Sequence, residues 1–278
     1  MTRISLAGAP VLLTGASSGI GRALAIELAG RGALLAIAAR RKDALDDVAD
    51  AAPGPVRPLV LEADLSRPGA AGELAGRALD ALGPVRILIN NAGAALVAAQ
   101  GEAGDGDAAR ALFETNFWSP LALTRALLPT MRDGAVVNVT STVQALPVPV
   151  LGHYGASKAA LAHATRTLRN ELRGTGITVL EVVPGATDTA ARDVGLLPWR
   201  DRPMRMPPPV SPESAARAIV RAIERGERRR VHPFPSLLPL ESPAIGRLFA
   251  ALVTRRLSLS PAAAGRTSPG RGPAGPRG

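Results

Sequence analysis

The segment TGASSGIG, residues 14–21, stands between an apolar run at 10–14 and a helical pattern that begins near residue 19. A glycine-rich turn between a buried strand and a helix lets the backbone approach a pyrophosphate closely, and the helix N-terminus offers unpaired N–H groups to the phosphates. The spacing is G-x-x-x-G-x-G and not G-x-G-x-x-G. The segment predicts a dinucleotide-binding loop, whose contacts would come from Gly15, Ser17, Ser18, Gly19, Ile20 and Gly21.

Outward from this loop, the chain alternates short apolar runs with longer helical patterns. The runs are nearly continuous in apolar residues, which indicates strands buried on both faces, as in a parallel sheet covered by helices. This alternation predicts a doubly wound α/β Rossmann fold with a central parallel sheet of about seven strands. The predicted strands are 10–14, 33–39, 55–63, 85–90, 135–140, 177–183 and 229–232. The predicted helices are 19–31, 42–51, 69–82, 108–131, 155–174 and 211–225.

The composition is that of an ordinary globular protein. The chain has 278 residues, 46% of them hydrophobic and 20% charged, so it can bury a core without covalent staples. It contains no cysteine, which excludes disulfide scaffolds, cysteine-ligated zinc and iron–sulfur centres, and we expect no metal site. No apolar run reaches the roughly 18 residues of a membrane span, and the first residues lack the regions of a signal peptide. We therefore expect a soluble, cytoplasmic protein.

The net charge of +10 is confined to the last third of the chain. Residues 1–191 carry 17 basic and 17 acidic side chains, whereas residues 192–278 carry 16 basic and 6 acidic ones. Beyond Trp199, only Phe234 and Phe249 could stack on bases, and no nucleic-acid-binding motif is present. We expect no nucleic-acid partner, although the basic C-terminal part could contact an anionic surface.

Two arginines follow the second predicted strand. Arg40 stands 19 residues after Gly21, and Arg41 comes next. At about this distance an acidic residue would accept the ribose hydroxyl of NAD, whereas an arginine suits the 2′-phosphate of NADP. A guanidinium matches phosphate in geometry and charge, so the sequence favours NADP(H) over NAD(H).

Tyr154, the one tyrosine of the chain, stands four residues before Lys158, one of its two lysines. At this spacing both side chains lie on one face of the predicted helix. A phenol titrates at about pH 10, but a nearby ammonium favours the phenolate, so we expect a lowered pKa for Tyr154 and a role in proton transfer. Ser141, thirteen residues upstream and directly after the fifth strand, could hold a substrate oxygen from the other side.

In combination, these motifs resemble the short-chain dehydrogenase/reductase family in its NADP-preferring form, over roughly residues 7–232. TGASSGIG resembles the family's cofactor loop, and Asp64 in EADLS is similar to the acid that contacts the adenine amino group. NNAG, residues 90–93, resembles the motif that closes the fourth strand over the adenosine half of the cofactor. Asn116 in ETNFW is similar to the helix asparagine that anchors a water relay to the active-site lysine.

The resemblance implies hydride transfer between NADP(H) and a carbonyl or alcohol substrate, in a homo-oligomer that is a dimer or a tetramer. The apolar residues of the predicted pocket favour a hydrophobic substrate. It implies a catalytic tetrad in which Tyr154 donates or accepts the proton and Ser141 orients the substrate oxygen. Lys158 would hold the nicotinamide ribose and tune Tyr154, with Asn116 as the fourth member. The further cofactor contacts that the resemblance implies are Arg40, Arg41, Asp64, Leu65, Asn91, Ala92, Gly93, Pro184, Gly185, Thr187 and Thr189.

Two other functions stay open at this point. The residues G-A-S-S-G also fit the G-x-S-x-G nucleophile elbow of hydrolases, with Ser17 as nucleophile and His232 as its plausible base. That interpretation leaves the pair of Tyr154 and Lys158 unexplained. The other alternative is a regulatory protein that binds the cofactor on the same scaffold without turnover.

The chain continues for about 46 residues beyond the last predicted strand. We predict a catalytic domain at 1–232, an amphipathic helical extension at 233–258 and a disordered tail at 259–278. The extension suits a helix packed on the domain or at a subunit contact, or a helix lying on an anionic membrane. Its apolar stripe would comprise Ile245, Leu248, Phe249, Leu252 and Leu257, beside Arg247, Arg255 and Arg256.

The substrate pocket is predicted to be largely apolar. We expect it to lie between residues 146–148, the loop after NNAG, and a lid at 186–209. The lid would contribute Trp199, Met204 and Met206.

Overall fold

The computed structural model describes residues 3–187, 197–200 and 209–257. These residues fold around one seven-stranded sheet, in which every neighbouring pair of strands is parallel. The strands are β1 (Pro10–Thr14), β2 (Leu34–Ala39), β3 (Leu59–Glu62), β4 (Ile87–Asn90), β5 (Gly134–Val139), β6 (Ile177–Pro184) and β7 (Arg229–His232). Their order in the sheet, β3-β2-β1-β4-β5-β6-β7, confirms the predicted doubly wound Rossmann fold.

Helices connect the strands and cover both faces of the sheet. They are α1 (Gly19–Ala29), α2 (Lys42–Ala51), α3 (Ala70–Leu82), α4 (Gln100–Ala103), α5 (Asp107–Phe113), α6 (Ser119–Leu127), α7 (Gly152–Glu171), α8 (Pro212–Glu224), α9 (Leu237–Glu241) and α10 (Pro243–Arg256). A π-helical turn occupies Glu114–Trp118, and 3-10 turns occupy Leu128–Thr130, Thr142–Ala145 and Phe234–Ser236.

Two apolar layers enclose the sheet. Successive residues of a strand face opposite sides, so Leu13 packs in one layer with Leu24 of α1 and Ile219 of α8. Leu12 packs in the other layer with Leu123 of α6. Because the five inner strands are buried on both faces, they need apolar side chains at nearly every position, and this is the pattern that the sequence shows.

The third strand is shorter than predicted. It covers Leu59–Glu62, whereas the apolar pattern predicted 55–63. Pro55 and Pro58 lie in the missing half, and proline has no N–H to donate to a neighbouring strand. The strand lies at the edge of the sheet, beside β2.

The helix predicted at 108–131 is divided into α5, the π-helical turn, α6 and a 3-10 turn. Pro120 explains the break, because it cannot donate the α-helical hydrogen bond to the carbonyl of Asn116, four residues earlier. The helix is therefore wider at Glu114–Trp118, where it forms a π-helical turn. Such turns occur frequently at functional sites.

The winding of the sheet reverses between β1 and β4, which are neighbours although three helices and two strands separate them along the chain. At such a topological switch point a crevice opens at the carboxyl ends of the strands. Gly15, Asn91 and Ser141 directly follow or lie next to the ends of β1, β4 and β5, so the predicted site residues meet at this edge.

The last helix, α10, packs on the rest of the protein through a face that coincides only in part with the predicted stripe, since Leu257 is buried and Phe249 packs on the apolar cluster. Small residues bring the helix close to its neighbours, whereas Ile245, Leu248 and Leu252 are exposed by 43%, 63% and 46%. The buried residues of this face are Gly246, Ala250, Val253 and Leu257. In the parts of the chain described above, no helix combines the length and the apolar character that crossing a bilayer requires.

Candidate active site

The glycine loop and the segment after β4 are joined by hydrogen bonds through Thr14 and Asn91. Asn91 Nδ2 donates to the carbonyl oxygens of Thr14 and Gly15, at 3.0 and 3.1 Å. Thr14 Oγ1 accepts from the backbone N–H groups of Asn91 and Ala92, both at 3.1 Å. Thr14 was absent from the predicted site. Its position at the start of TGASSGIG, where β1 ends, was the signal in the sequence.

Two positions of the loop require glycine. A Cβ on Gly21 would lie 2.0 Å from the carbonyl oxygen of Gly15, which is far inside contact distance. Gly15 has a φ of +70°, and a Cβ there would lie 2.7 Å from the Cα of Ala92. The glycines thus let the loop, α1 and the NNAG segment pack backbone against backbone.

The N-terminus of α1 is open to an anion. Ser18, the residue before the helix, makes no capping hydrogen bond through its side chain, and the first turn holds no acidic residue. Ser18 is exposed, while Ser17, Gly19 and Ile20 are half-buried around the same turn. The first N–H groups and the positive end of the helix dipole therefore suit the pyrophosphate of a dinucleotide.

Arg40 and Arg41 are exposed at the end of β2. Arg41 Nη2 lies 3.5 Å from Ser17 Oγ, so its guanidinium stands beside the glycine loop. The pKa of Asp64 is lowered, first by the hydrogen bond from the Ser66 hydroxyl and to a smaller extent by the charge of Arg40. The two arginines therefore stand between the glycine loop and the end of β3, where the predicted adenine contact lies.

Leu65, predicted as a cofactor contact, has its side chain in the core, with 6% of the residue exposed. Its carbonyl oxygen accepts a hydrogen bond from Ser119 Oγ at 2.9 Å, which anchors the segment after β3 to α6.

Gly93, Asn116 and Lys158 come together from three different elements. A Cβ on Gly93 would lie 3.4 Å from Lys158 Nζ and 3.5 Å from Asn116 Oδ1, which is van der Waals contact, so the backbone of Gly93 lies directly beside both side chains. Asn116 is fully buried, and its amide bonds both backbone groups of Ala94, at 2.8 and 2.9 Å. Asn116 thus fixes the segment after NNAG at a short distance from the lysine.

The hydroxyl group of Ser141 lies close enough to the phenol of Tyr154 to favour its phenolate form by hydrogen bonding. Burial raises the pKa of Tyr154, and the hydrogen bond with Ser141 opposes this rise without overcoming it. The prediction of a lowered pKa for Tyr154 is therefore wrong for the protein without its cofactor. The predicted cause was a neighbouring ammonium, but desolvation of the phenolate is the larger effect.

Lys158 is buried at the base of the site, with 3% of the residue exposed. Its Nζ donates to the carbonyl oxygen of Val139, at 3.0 Å. Burial lowers its pKa to about 8, because the charged form loses its hydration.

Ser157 links two of the predicted site residues and was missed in the sequence. Its Oγ accepts from Asn116 Nδ2 at 3.0 Å and donates to the backbone carbonyl of Tyr154 at 2.8 Å. A serine one residue before the lysine carries no distinctive signal, because hydroxyl residues are common at helix surfaces. Its role follows from the packing of the π-helical turn against α7.

The rotation of α7 is fixed by a second pair that the sequence did not indicate. Asn138 Nδ2, on β5, donates to Thr165 Oγ1 of α7 at 2.9 Å, and Asn138 also accepts from Asn90 Nδ2 at 2.8 Å. Thr165 lies seven residues after Lys158 and eleven after Tyr154, which is the same face of a helix. This buried pair therefore sets which face of α7 meets the sheet.

Pro184 ends β6, and Gly185 packs closely against the 3-10 turn at Phe234–Ser236. A Cβ on Gly185 would lie 2.2 Å from Ser236 Oγ. Thr187 is buried and bridges to Val210. Thr189, which was predicted to contact the cofactor, lies outside the described residues, as do Met204, Met206 and the predicted tail at 259–278.

The hydrolase interpretation finds no support in the geometry. Ser17 Oγ accepts from Arg41, and His232 Nε2 lies 3.2 Å from Ser214 Oγ. The described contacts thus pair Ser17 and His232 with other residues instead of with each other.

The comparison with known proteins agrees with this arrangement. The family model described as short chain dehydrogenase matches residues 9–194. The chain belongs to the short-chain dehydrogenase family. A member of this family is an NAD(P)-dependent oxidoreductase that interconverts an alcohol and a carbonyl group, and this therefore holds for the chain.

Two relatives of this short-chain dehydrogenase carry hydroxysteroid dehydrogenase names. It is 36% identical over 241 residues to 11-beta-hydroxysteroid dehydrogenase A of Sesamum indicum, covering 82% of this chain and 69% of that protein. It is 39% identical over 185 residues to 11-beta-hydroxysteroid dehydrogenase 1A of Arabidopsis thaliana, covering 65% of this chain and 53% of that protein. The chain thus spans about half the length of the Arabidopsis relative.

Solved structures share the fold over most of the chain. A short chain dehydrogenase from Burkholderia cenocepacia J2315 in complex with NADP is 30% identical, with a TM-score of 0.73, covering 92% of this chain and 100% of that one. A family member from Burkholderia phymatum in complex with NAD is 26% identical, with a TM-score of 0.74, covering 88% and 97%. Similar structures therefore bind either form of the cofactor.

Proposed function

We propose that this short-chain dehydrogenase exchanges a hydride between NADP(H) and a bulky, apolar alcohol or ketone, with Tyr154 as the proton donor and acceptor. The observation that carries the proposal is that Tyr154, Ser141 and the buried Lys158 meet at the carboxyl end of β5, where Lys158 Nζ donates to the carbonyl oxygen of Val139. Two hydroxyl groups that meet at the carboxyl edge of the sheet can hold one substrate oxygen between them.

The residues at the crevice fit a dinucleotide. Gly15 and Gly21 leave no Cβ between the loop and the NNAG segment, and the N-terminus of α1 suits the pyrophosphate. Gly93 lies directly beside Lys158 Nζ, so this lysine would hold the ribose next to the nicotinamide where the NNAG segment meets the site. The cofactor, when bound, supplies or accepts the hydride, and the protein supplies position and charge.

The protonation states suit carbonyl reduction at neutral pH. Because burial raises the pKa of Tyr154, the phenol carries its proton and can donate it to a carbonyl oxygen that Ser141 holds. Because the pKa of Lys158 is about 8, most of this lysine is still charged at pH 7 and can stabilise the phenolate that remains. Asn116 and Ser157 keep the backbone of Tyr154 in place.

The preference for NADP(H) rests on Arg40 and Arg41. Both are exposed at the end of β2, and Arg41 lies beside Ser17 of the glycine loop. We place the 2′-phosphate of NADP between these guanidinium groups, since no acidic residue occurs there before Asp43.

The proposed substrate class rests on an apolar cluster near Ser141. Leu146 and Val148, shortly after the serine, pack with Val253 and Leu257 of the last helix. Leu151, Leu197, Trp199 and Phe249 pack around the edge of this cluster. An apolar cluster in the segment that follows Ser141 suits an apolar ligand, and hydroxysteroids are the class that the names of the two relatives suggest.

The test is reduction of a panel of ketones, steroids included, with NADPH and with NADH. We expect turnover with NADPH, and a loss of about 100-fold or more in kcat for Tyr154→Phe, while the Kd for NADPH changes little. His153→Gln, on the same turn of α7, serves as the control. Full activity in Tyr154→Phe would refute the assignment, and cofactor binding without turnover in the unmodified protein would favour the regulatory alternative.

A peripheral membrane contact through α10 is a further part of the proposal. Ile245, Leu248 and Leu252 form an exposed apolar stripe, with Arg255 and Arg256 in the last turn. Such a face suits an anionic lipid surface. We expect the protein to sediment with vesicles that contain phosphatidylserine and to lose this binding in Leu248→Ser/Leu252→Ser. The control is Val56→Ser, at an exposed valine elsewhere. Absence of sedimentation by the unmodified protein would exclude the contact.

We also propose a homo-oligomer, as a dimer or a tetramer. Trp118 is 54% exposed, and its ring stacks edge to face with Phe117, with centroids 4.7 Å apart. A large exposed aromatic group is typical of subunit interfaces. Light scattering should give two or four times the mass of the chain, and Trp118→Ser should lower it, whereas a monomer at all concentrations would contradict the proposal.

A further inference from the structure

The C-terminal extension, here residues 233–257, contacts the site from two sides, although the family match ends at residue 194. Its 3-10 turn packs on Gly185, where a Cβ would lie 2.2 Å from Ser236 Oγ. Its last helix packs on the segment that follows Ser141. The buried residues of this second contact are Leu146, Val148, Val253 and Leu257.

A chain of polar contacts joins the extension to the same segment. Glu241, at the end of α9, forms an ion pair with Arg229 of β7. Arg229 Nε lies 3.8 Å from Glu181 Oε2 on β6. The other oxygen of this carboxylate, Oε1, accepts a hydrogen bond from Gln144 Nε2 at 3.1 Å.

Glu181 is the buried centre of this chain of contacts. Its side chain is 1% exposed, whereas those of Arg229 and Glu241 are 34% and 55% exposed. A carboxylate without water is unfavourable unless it is paired and hydrogen-bonded, so Glu181 depends on both Arg229 and Gln144. The charge of Glu181 also acts on Arg169 of α7, where it opposes the lowering of the arginine pKa by burial.

Gln144 transmits this arrangement to Ser141. It lies in the 3-10 turn at Thr142–Ala145, and its backbone N–H donates to the carbonyl oxygen of Ser141 at 3.2 Å. The side chain of Ser141 accepts from the backbone N–H of Val143 in the same turn, at 3.3 Å. A turn that is held at Gln144 therefore restricts the position of the serine hydroxyl.

We propose that Glu181 is a positioning residue for Ser141, and that the C-terminal extension acts on the active site through Glu241, Arg229, Glu181 and Gln144. The extension would then take part in catalysis, because it helps to hold Ser141 in position. The inference deepens the proposed function, because it rests on the role given there to Ser141.

The experiment compares Glu241→Gln, at the exposed end of the chain of contacts, with Gln144→Leu at its buried end. The readouts are hydrogen exchange of the amides at 142–146, kcat and KM for a ketone, and the Kd for NADPH. In both variants we expect these amides to exchange about three- to fivefold faster and kcat to fall by a similar factor, as for the loss of one coupled contact. The Kd for NADPH should not change, and Glu241→Asp should restore part of both effects.

The matched control is Glu73→Gln on α3. Glu73 forms an exposed ion pair with Arg67, and neither residue belongs to the contacts described above. Exchange at 142–146 that is as slow in Glu241→Gln as in Glu73→Gln would overturn the inference. Because Glu241 is exposed, this variant should fold even if Gln144→Leu does not.

Failure of the proposed function would be visible separately. If the unmodified protein reduces no ketone, the proposed function fails. The exchange at 142–146 in Glu241→Gln still decides whether the extension holds the turn after Ser141.

Discussion

The ammonium group of Lys158 donates a hydrogen bond to the carbonyl oxygen of Val139, at 3.0 Å, with only 3% of the lysine exposed. Val139 is the last residue of β5, two residues before Ser141, so the lysine joins α7 directly to the strand that leads to the serine. The contact secures the geometry of the site, but it places a positive charge where water does not reach.

The position of Lys158 should lower stability at neutral pH. Its pKa falls from 10.5 to about 8 on folding, so the unfolded chain binds more protons between these pH values, and stability rises with pH through this window. The shift corresponds to about 3 kcal/mol, and below about pH 8 the free energy of unfolding is lower by this full amount. Urea denaturation of the unmodified protein and of Lys158→Met should therefore differ most at pH 6–8, and the difference should shrink towards pH 10. A constant difference would argue against a buried, charged lysine.

The hydrogen bond between Ser141 and Tyr154 should appear in the pH profile. This bond lowers the pKa of Tyr154 against the effect of burial, so Ser141→Ala should raise that pKa further. Alcohol oxidation needs the phenolate, and its profile should therefore move to higher pH in Ser141→Ala, beside a fall in kcat. Thr142→Ala, at the neighbouring hydroxyl, should leave the profile in place. An unshifted profile in Ser141→Ala would contradict the contact.

Arg40→Asp should change the cofactor preference. A carboxylate repels the 2′-phosphate and accepts the ribose hydroxyls, so the ratio of kcat/KM for NADPH to that for NADH should fall by about tenfold or more, which corresponds to one charged hydrogen bond. Arg41→Ala should weaken NADPH binding and leave NADH binding nearly unchanged. Arg110→Ala, at an exposed arginine paired with Asp105, is the control. The same ratio in Arg40→Asp and in the unmodified protein would disprove this role of Arg40.

Two glycine variants should have opposite effects on stability. In Gly21→Ala the new Cβ would lie 2.0 Å from the carbonyl oxygen of Gly15, so the loop must shift, and we expect a loss of about 2–3 kcal/mol. Gly76, in the middle of α3, has open space where a Cβ would stand, with no atom within 4 Å, and Gly76→Ala should gain about 0.5–1 kcal/mol from helix propensity. Thermal unfolding measures both. If Gly21→Ala melts at the same temperature as the unmodified protein, the close approach of the backbone at Gly21 is not required.

The pair of Asn138 and Thr165 should control activity from a distance. Thr165→Val keeps the shape but removes the acceptor for Asn138 Nδ2, so we expect a loss of about 1–3 kcal/mol from the unpaired amide, and a lower kcat as α7 shifts. Thr165→Ser keeps the hydroxyl and should restore kcat. If Thr165→Val and Thr165→Ser have the same kcat, the pair does not position Tyr154 and Lys158.

The local pattern of the chain was sufficient to predict the sheet and the elements of the site. Buried parallel strands need apolar side chains at nearly every position, and the TGASSGIG turn requires glycines that no other residue can replace. Tyr154 and Lys158, four apart on a helix, must share a face in any fold that keeps that helix. These features depend only on residues that are close in sequence, so the sequence alone was sufficient to predict them.

The hydrogen-bond partners of the site residues could not be predicted in this way. Thr14 with Asn91, Asn116 with Ser157, and Glu181 with Gln144 join residues that lie 37 to 77 positions apart, and single Thr, Ser or Gln residues carry no periodic signal.

The sequence by itself determined the Rossmann fold, the glycine-rich turn between β1 and α1, and the helix face that carries Tyr154 and Lys158. Only the tertiary structure decided the sign of the pKa shift of Tyr154, because desolvation depends on how many neighbours surround the phenol. It also decided which face of α10 is buried, since Val253 and Leu257 found partners in Leu146 and Val148, about a hundred residues away. Spacing along a chain fixes directions within one helix or strand, but burial is a property of the whole fold.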